Sequence, residues 1–275
     1  MSVRVHISVD MEGIAGAVTG TDVLPAEADY ALTRHLMTAE ASAAVRGVFA
    51  HDADATVIVA DSHGPFTNLI QEELDSRARL VRGRPRPLAM MTGVQGADAA
   101  IFVGYHGRAG TAQSVLSHTI NGGCVSDVRC NGRQVGEIGL NAALAQHFEV
   151  PVVLVCGDDT VAAEAGSVIE GVTTVVGKWS LGARAAESLH PAVACQQIEQ
   201  AVPAALARRA AVRALTFPGP VEVEVDLYRE MMVENPLLIP GVARTGPRTV
   251  RSVAPDFLRA YELIMLITMV AALTS

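Results

Sequence analysis

Four short apolar segments of the sequence each end in polar residues of the kinds that bind metal ions or transfer protons. These residues are Asp10 and Glu12 after residues 3–9, His63 after residues 55–60, His106 after residues 99–104, and Asp158 with Asp159 after residues 151–156. If the segments are parallel strands, their carboxyl ends share the edge of the sheet where open α/β folds bind ligands. The sequence therefore predicts that side chains far apart along the chain meet at that edge.

Three of these ends carry residues that form a credible set of metal ligands. Histidine binds zinc through a neutral ring nitrogen, and carboxylates complete the coordination sphere and can bridge two ions. Asp10 and Glu12 are two residues apart, so both would point to one face of a continuing strand. Glu137 lies between Gly136 and Gly139 at a predicted helix start, from which its side chain could reach the same edge. Spacing alone leaves structural alternatives open: Asp10 as a cap, Glu137 as a first-turn acid, and the histidines as surface residues.

His118 is a candidate for acid–base chemistry. It lies in the loop-rich stretch after His106, and an imidazole titrates near neutral pH. Asp158 and Asp159, in contrast, are interpreted as caps of a helix that begins near Val161.

Apolar runs alternate with helical patterns along the chain, which predicts an α/β fold with a mainly parallel sheet flanked by helices. Strands are predicted over residues 3–9, 55–60, 99–104, 151–156, 172–176 and 221–225. Helices are predicted over residues 26–50, 68–76, 137–148, 161–169, 191–215 with a kink or break at Pro203, and 256–273 with Asp256 at the N-terminus. Residues 1–275 are treated as one domain, and a smaller second lobe around residues 199–250 is left open.

Composition restricts the class of protein. Of 275 residues, 50% are hydrophobic and the net charge is −8, which disfavours nucleic-acid binding because that surface needs a basic excess. Four scattered cysteines without a CxxC pair argue against a disulfide framework and a thiolate zinc site. The start of the chain lacks a signal-peptide pattern, and the apolar run Leu263–Leu273 is shorter than the ~20 residues that span a membrane. We therefore expect a cytoplasmic protein that does not insert into a membrane, with a C-terminal helix that is buried or packs against another subunit.

The motifs at these positions resemble those of the DppA-type zinc D-aminopeptidase family. They occur in the same order and with near-identical spacing over most of the chain: Ser8-Val9-Asp10-Met11-Glu12-Gly13-Ile14 with Gly16, Asp61-Ser62-His63, Gly104-Tyr105-His106, Ser117-His118, Gly136-Glu137-Ile138-Gly139-Leu140-Asn141, Gly157-Asp158-Asp159 and Lys178. The resemblance implies a single metallohydrolase domain with two zinc ions that releases N-terminal D-amino acids from short peptides.

The resemblance also implies roles for individual residues. The metal ligands would be Asp10, Glu12, His63, His106 and Glu137, with Asp10 bridging the two ions. His118 would be the catalytic residue beside the metals, as a proton shuttle, an electrostatic stabiliser or, less economically, a nucleophile.

Assembly and substrate selectivity are specified less well. The family stacks two rings of five subunits into a decamer, so the resemblance implies a homodecamer that encloses its sites in a chamber. Residues 199–248 align poorly with the family pattern, so selectivity for D-residues, L-residues or non-peptide amides stays open. A non-catalytic peptide-binding relative is a further alternative, although the intact ligand set argues against it. Nucleotide binding is disfavoured because no GxGxxG follows the first strand and there is no Walker motif.

Overall fold

A central sheet carries the polar strand ends. The computed structural model describes residues 2–274. Within them the strands are β1 (Arg4–Val9), β2 (Thr56–Asp61), β3 (Arg79–Val81), β4 (Ala99–Tyr105), β5 (Val125–Cys130), β6 (Arg133–Gln134), β7 (Val152–Asp158), β8 (Ile169–Glu170), β9 (Thr173–Gly182), β10 (Ala185–Ser188), β11 (Arg213–Ala214), β12 (Val221–Leu227), β13 (Ala243–Arg244) and β14 (Thr249–Ala254). The helices are α1 (Gly20–Val23), α2 (Tyr30–His51), α3 (Glu137–His147), α4 (Asp159–Val168), α5 (Pro191–Ala207) and α6 (Phe257–Ala271).

The central sheet is parallel in the order β3–β2–β1–β4–β7–β9, and β10 adds an antiparallel edge. Strand order reverses beside β1, because the chain adds β2 and β3 on one side and β4, β7 and β9 on the other. The boundary between β1 and β4 is therefore a topological switch point, where α/β sheets form a ligand-binding crevice. β1, β2, β4 and β7 are buried along nearly their whole length, as expected for parallel strands covered on both faces.

Two groups of helices cover this sheet. α2 and α5 pack against each other and against its strands, whereas α3 packs with α4 and α6. The helices α2 and α5 approach each other closely because α2 has a glycine at the contact. A Cβ atom at Gly47 would lie 2.7 Å from the Cβ atom of Val202 in α5. This packing explains how a chain with 4% aromatic residues builds a dense core.

A second sheet is antiparallel, in the order β13–β14–β12–β5–β6. Its strand β12 alternates between buried valines and half-buried acids, which confirms the predicted half-exposed strand. The sheet draws its strands from residues 125–134 and 221–254, so it combines two distant parts of the chain. α5, which covers residues 191–207, belongs instead to the layer on the central sheet.

The predicted α/β class is confirmed, but one predicted helix is wrong and another was predicted too long. Residues 68–76 form turns, because the Asp61 carboxylate accepts hydrogen bonds from the N–H groups of Asn68 (2.5 Å) and Leu69 (2.7 Å) and stabilises an irregular loop. The helix predicted over residues 191–215 ends at Ala207, since residues 213–214 pair with β8 as strand β11. Pro203 lies inside α5 and does not break it.

The apolar C-terminal run is a helix that packs on the core of its own chain. Among the helices that the structure describes, the segment Phe257–Thr274 is long and apolar enough to cross a membrane, with a mean hydropathy of 1.6. One face of α6 nevertheless packs on α3, β12 and β14, which is typical of a core helix, and one such segment is weak evidence for a membrane span. Its other face exposes Leu266 and Met269.

Replacing Asp256 with alanine should destabilise the protein by about 1 kcal/mol. Asp256 caps α6 as predicted, because its carboxylate accepts a hydrogen bond from the N–H of Arg259 at 2.9 Å. Urea unfolding followed by circular dichroism measures the change. Asp256→Ser keeps a capping oxygen and should retain most of the stability, and an equal loss in both variants would contradict the capping role.

Candidate metal centre

The carboxyl ends of three neighbouring strands bring an aspartate and two histidines to one edge of the sheet. β1 pairs in register with β2 on one side and with β4 on the other. Asp10, which follows β1, therefore lies between His63, which follows β2, and His106, which follows β4. Glu12 comes from the loop after β1, and Glu137 is the first residue of α3. All five residues are buried, none more than 7% exposed, and their ligand atoms lie close together, so the structure brings the five predicted ligands to one place.

The loop after β1 crosses the end of β4 at very short range. The N–H of Gly13 donates a hydrogen bond to the carbonyl of Gly104 at 2.7 Å. A Cβ atom at position 13 would lie 1.8 Å from the carbonyl oxygen of Tyr105, so only glycine fits there. The crossing anchors the chain directly after Glu12 and holds that residue over the sheet edge.

The five side chains form two groups that share Asp10. In the first group, His63 Nδ1 lies 3.4 Å from Asp10 Oδ1 and 2.9 Å from Glu12 Oε2. In the second group, His106 Nε2 lies 3.4 Å from Asp10 Oδ2 and 3.6 Å from Glu137 Oε1. The two oxygens of Asp10 thus face different groups, which is how a carboxylate bridges two cations.

Both histidines are oriented by main-chain carbonyls outside the site. His63 Nε2 donates to the carbonyl of Val23 at 2.8 Å, and His106 Nδ1 donates to the carbonyl of Gly107 at 3.0 Å. Because a carbonyl only accepts, these nitrogens carry a proton, and the other ring nitrogen faces the carboxylates, where it can hold a second proton or bind a cation in its place. This is the usual orientation of histidines that bind metals.

The spacing of the donor atoms fits zinc. Ligands that lie 2.0–2.2 Å from a tetrahedral zinc ion are about 3.4 Å apart, and His106 Nε2 lies 3.4 and 3.6 Å from its two carboxylates. The same nitrogen is buried and lacks a hydrogen-bond partner among the described residues, which is costly for a polar atom unless something binds it. Imidazole and carboxylate together are a donor set of catalytic zinc sites.

The electrostatics of the edge also favour cations. Burial and the neighbouring Glu12 raise the pKa of Asp10 to about 6. Burial by itself lowers the pKa of His63 and His106, but the adjacent carboxylates outweigh it and hold both values well above the usual range. Three buried carboxylates, including Glu137, therefore stabilise positive charge between them, either as protons on the imidazoles or as divalent cations in their place.

His118 lies over these groups and is the more exposed histidine. Its ring stacks on that of His106 with 4.2 Å between centroids, and its Nε2 lies 3.8 Å from Glu12 Oε1 and 3.7 Å from Glu137 Oε1. The side chain is 20% exposed, so it can contact both a ligand and solvent. With Glu12 and His106 it forms a third group close enough to hold an ion, so its position suits a ligand as well as a proton-transfer group.

The loop around His118 is strained and tied to the site. Leu116 (φ 52°) and Ile120 (φ 61°) adopt the left-handed conformation that non-glycine residues avoid. The N–H of Ile120 donates to Glu137 Oε1 at 2.7 Å, and the N–H of Leu116 donates at 3.0 Å to the carbonyl of Ala183, in the turn between β9 and β10. Such strain persists only where the surroundings impose it, and it concentrates at functional sites.

A buried hydrogen-bond network beneath the site was not predicted from the sequence. Ser8 Oγ shares hydrogen bonds with Ser62 Oγ (2.8 Å) and the hydroxyl of Tyr105 (2.7 Å). Asn141 Nδ2 donates to the Tyr105 hydroxyl at 3.0 Å, and the Tyr261 hydroxyl donates to Asn141 Oδ1 at 2.9 Å. The network joins β1, β2 and β4 to α3 and α6, and so fixes the helix that begins at Glu137. The sequence feature that could have indicated this network is a serine inside an apolar strand or just after one: Ser8 lies in β1, and Ser62 directly follows β2.

The two acidic residues after β7 lie outside both ligand groups. Asp158 caps α4 as predicted, since its Oδ1 accepts from the N–H of Val161 at 2.8 Å. Asp159, also predicted as a cap, is not one: it lies in the first turn of α4, and its Oδ1 accepts from the N–H of Ser180 in β9 at 2.8 Å.

The arrangement can hold two adjacent cations beside a partly exposed imidazole. Paired cations polarise a substrate carbonyl and activate water, and an imidazole can move the proton that bond cleavage requires. This combination is typical of hydrolases that cleave amides or esters.

Known proteins of similar sequence and structure match nearly the whole chain. The sequence profile of the D-aminopeptidase family matches residues 3–266. A D-aminopeptidase of Bacillus subtilis is 36% identical over 274 residues, which is 99% of each chain. The solved structure of the Zn-dependent D-aminopeptidase DppA from Bacillus subtilis, described as a self-compartmentalizing protease, has a TM-score of 0.95 and 35% identity over 99% of both chains.

Replacing Gly13 with alanine should displace the segment that carries Glu12, because the new Cβ atom would overlap the Tyr105 carbonyl. We expect zinc affinity, measured by competition with a metal-binding dye, to fall on the order of tenfold or more. Gly166→Ala in α4 is the matched control, since nothing lies within 4 Å of a Cβ atom there. The control should keep its zinc affinity, and equal affinity in the two variants would contradict the importance of the crossing.

Proposed function

The chain belongs to the D-aminopeptidase family, and we propose that it is a zinc-dependent aminopeptidase that releases N-terminal D-amino acids from short peptides. The observation that carries this proposal is the pair of imidazole–carboxylate groups that share Asp10 at the switch point of the sheet. Family membership supports the class of reaction, and the donor set of the site supports zinc.

Each group would hold one zinc ion, giving two ions per subunit. One position would be held by Asp10, Glu12 and His63, and the other by Asp10, His106 and Glu137, so that Asp10 would belong to both. Each position would have three protein ligands, the number found in catalytic zinc sites. The bound ions supply Lewis-acid chemistry, since they polarise a carbonyl and lower the pKa of water towards neutrality.

His118 supplies the proton transfer in this proposal. Its Nδ1–H is held by the carbonyl of Leu116 at 3.0 Å, so the lone pair of Nε2 points to the carboxylates of the site. Nε2 would accept a proton from the water that attacks the peptide carbonyl carbon, and would give it to the nitrogen of the leaving amine when the C–N bond breaks. The ring stack on His106 keeps the imidazole plane in place, and its partial exposure lets the proton exchange with solvent.

We further propose that ten subunits assemble as two stacked rings of five and act in the cytoplasm. The similar protein from Bacillus subtilis is described as self-compartmentalizing, which supports an assembly. This chain exposes large apolar side chains, among them Leu238 (80% exposed) and, near the C-terminus, Met269 (62%) and Leu273 (77%). Burial between subunits would remove that apolar surface from water.

Protein purified without chelator should contain about two zinc ions per chain and should release alanine from D-Ala-D-Ala much faster than from L-Ala-L-Ala. Elemental analysis and parallel hydrolysis assays measure both quantities. The same zinc content with L-selectivity would keep the site and change the substrate class. Absence of bound metal, together with no activity after zinc is added, would contradict an enzyme and favour a peptide-binding protein.

The His118→Ala variant should lose turnover by on the order of 100-fold or more and keep the zinc content of the parent. The reason is that both ligand groups are complete without His118. His35→Ala is the control: this exposed histidine pairs with Glu73 at 2.9 Å on the surface, and its loss should change neither quantity. If His118→Ala loses zinc while His35→Ala retains it, His118 is a ligand rather than the proton-transfer group.

A further inference from the structure

A fully buried lysine lies behind the candidate metal centre and contacts the main chain of the segment that carries Glu12. Lys178 in β9 is 0% exposed. Its ammonium donates to the carbonyl oxygens of Glu12, Ile14 (3.0 Å) and Ala17. An ammonium group has three N–H donors, so all three are spent on the backbone of residues 12–17.

The same segment is held from the opposite side by α2. Glu40, also buried, accepts a hydrogen bond from the N–H of Ala15 at 2.9 Å. Asp158 lies opposite Lys178 in the β7–β9 register, so the lysine has a carboxylate on the neighbouring strand. Residues 12–17 are thus fixed through their carbonyls by β9 and through an N–H by α2.

An apolar residue at position 178 would avoid the cost of burying a charge. A buried ion is weak evidence for stability by itself, and its best-attested benefit is to specify one conformation. Here that conformation concerns Glu12, because the ammonium binds the carbonyl of the very residue whose carboxylate lies 2.9 Å from His63.

We propose that Lys178 is a positioning residue for one of the two zinc positions, the one formed by Asp10, Glu12 and His63. It keeps residues 12–17 in the conformation that presents the Glu12 carboxylate to His63. The proposal rests on the proposed function, since it concerns a zinc position of that site.

The second zinc position does not depend on this segment. Its ligands are Asp10, His106 and Glu137, and none of them lies within residues 12–17. Asp10 has its own anchor, because its N–H donates to the carbonyl of Val103 in β4 at 2.8 Å. Loss of Lys178 should therefore empty one position and leave the other filled.

Zinc titration of Lys178→Met tests the proposal directly. Methionine keeps an unbranched side chain and removes the three donors. At the lowest buffered free-zinc concentration that fills both positions of the parent, bound zinc should fall from about two ions towards one per chain, because the weakened position should lose affinity by on the order of tenfold to 100-fold. The retained position should keep an affinity within about threefold of the parent.

Hydrogen exchange of the metal-free proteins gives a second measurement that does not involve zinc. In Lys178→Met, backbone amides of residues 12–17 should exchange at least about tenfold faster than in the parent, whereas those of β1 should stay protected. Unchanged exchange in residues 12–17 would overturn the proposal, whatever the metal content of the parent.

Arg129→Met is the matched control for a general loss of stability. Arg129 pairs with Asp127 (2.6 Å), Glu224 (3.2 Å) and Asp226 (2.9 Å) in the second sheet, so its removal also leaves carboxylates without their cation. This variant should bind two zinc ions and show parental exchange in residues 12–17. Loss of one zinc ion from Arg129→Met as well would overturn the specific role of Lys178.

Lys178→Gln keeps the test decisive if the methionine variant does not fold. Glutamine retains an N–H donor on a side chain one atom shorter, so we expect an intermediate loss of affinity confined to one zinc position. Two zinc ions bound with parental affinity in a folded Lys178→Met or Lys178→Gln protein would overturn the proposal. A parent that binds fewer than two zinc ions would instead contradict the two-zinc site, and the exchange measurement would still decide the role of Lys178.

Discussion

The site depends on the position of one buried carboxylate, that of Asp10. It follows the strand at which the order of the sheet reverses, so the ends of two other strands lie on either side of it. Each end contributes a histidine, and each Asp10 oxygen faces one of them at 3.4 Å. Burying Asp10 with Glu12 and Glu137 would be unfavourable without positive charge nearby, and the imidazoles or bound cations provide that charge. A single side chain thus joins the two halves of the centre.

Rigid supports hold this arrangement from behind. The crossing at Gly13 anchors the loop after β1 on β4, and the network from Ser8 through Tyr105 links the strands to the helix of Glu137. Lys178 binds the loop carbonyls from β9. Buried polar groups of this kind cost stability unless all their partners are in place, and in return they allow few alternative positions for the ligands. His118 differs, because it lies on a strained and partly exposed loop where a proton can exchange with solvent.

The site residues at the strand ends were predictable from the residue pattern alone, whereas those on the loop and at the helix start were not. Asp10, Glu12, His63 and His106 could be singled out because an apolar run followed by a polar residue shows where a strand ends. Glu137 and His118 needed the family resemblance, since a helix start and a loop can point in many directions. The helix expected over residues 68–76 was wrong because the carboxylate of Asp61 holds that segment in turns, a contact that no periodicity reveals.

The sequence by itself determined the α/β class, the main strands and helices, the caps at Asp158 and Asp256, and the chemical character of the site. These features depend on neighbours within a few residues, through apolar periodicity and local hydrogen bonds. The family resemblance implied that Asp10 is shared, but only the tertiary structure decided which of the other proposed ligands lie on each side of it, because that grouping follows from the order of the strands. The tertiary structure alone revealed that Lys178 binds the loop after β1, because its partners are backbone carbonyls more than 160 residues away. Backbone groups are the same in every residue, so no side-chain pattern in the sequence marks which of them a distant lysine will bind.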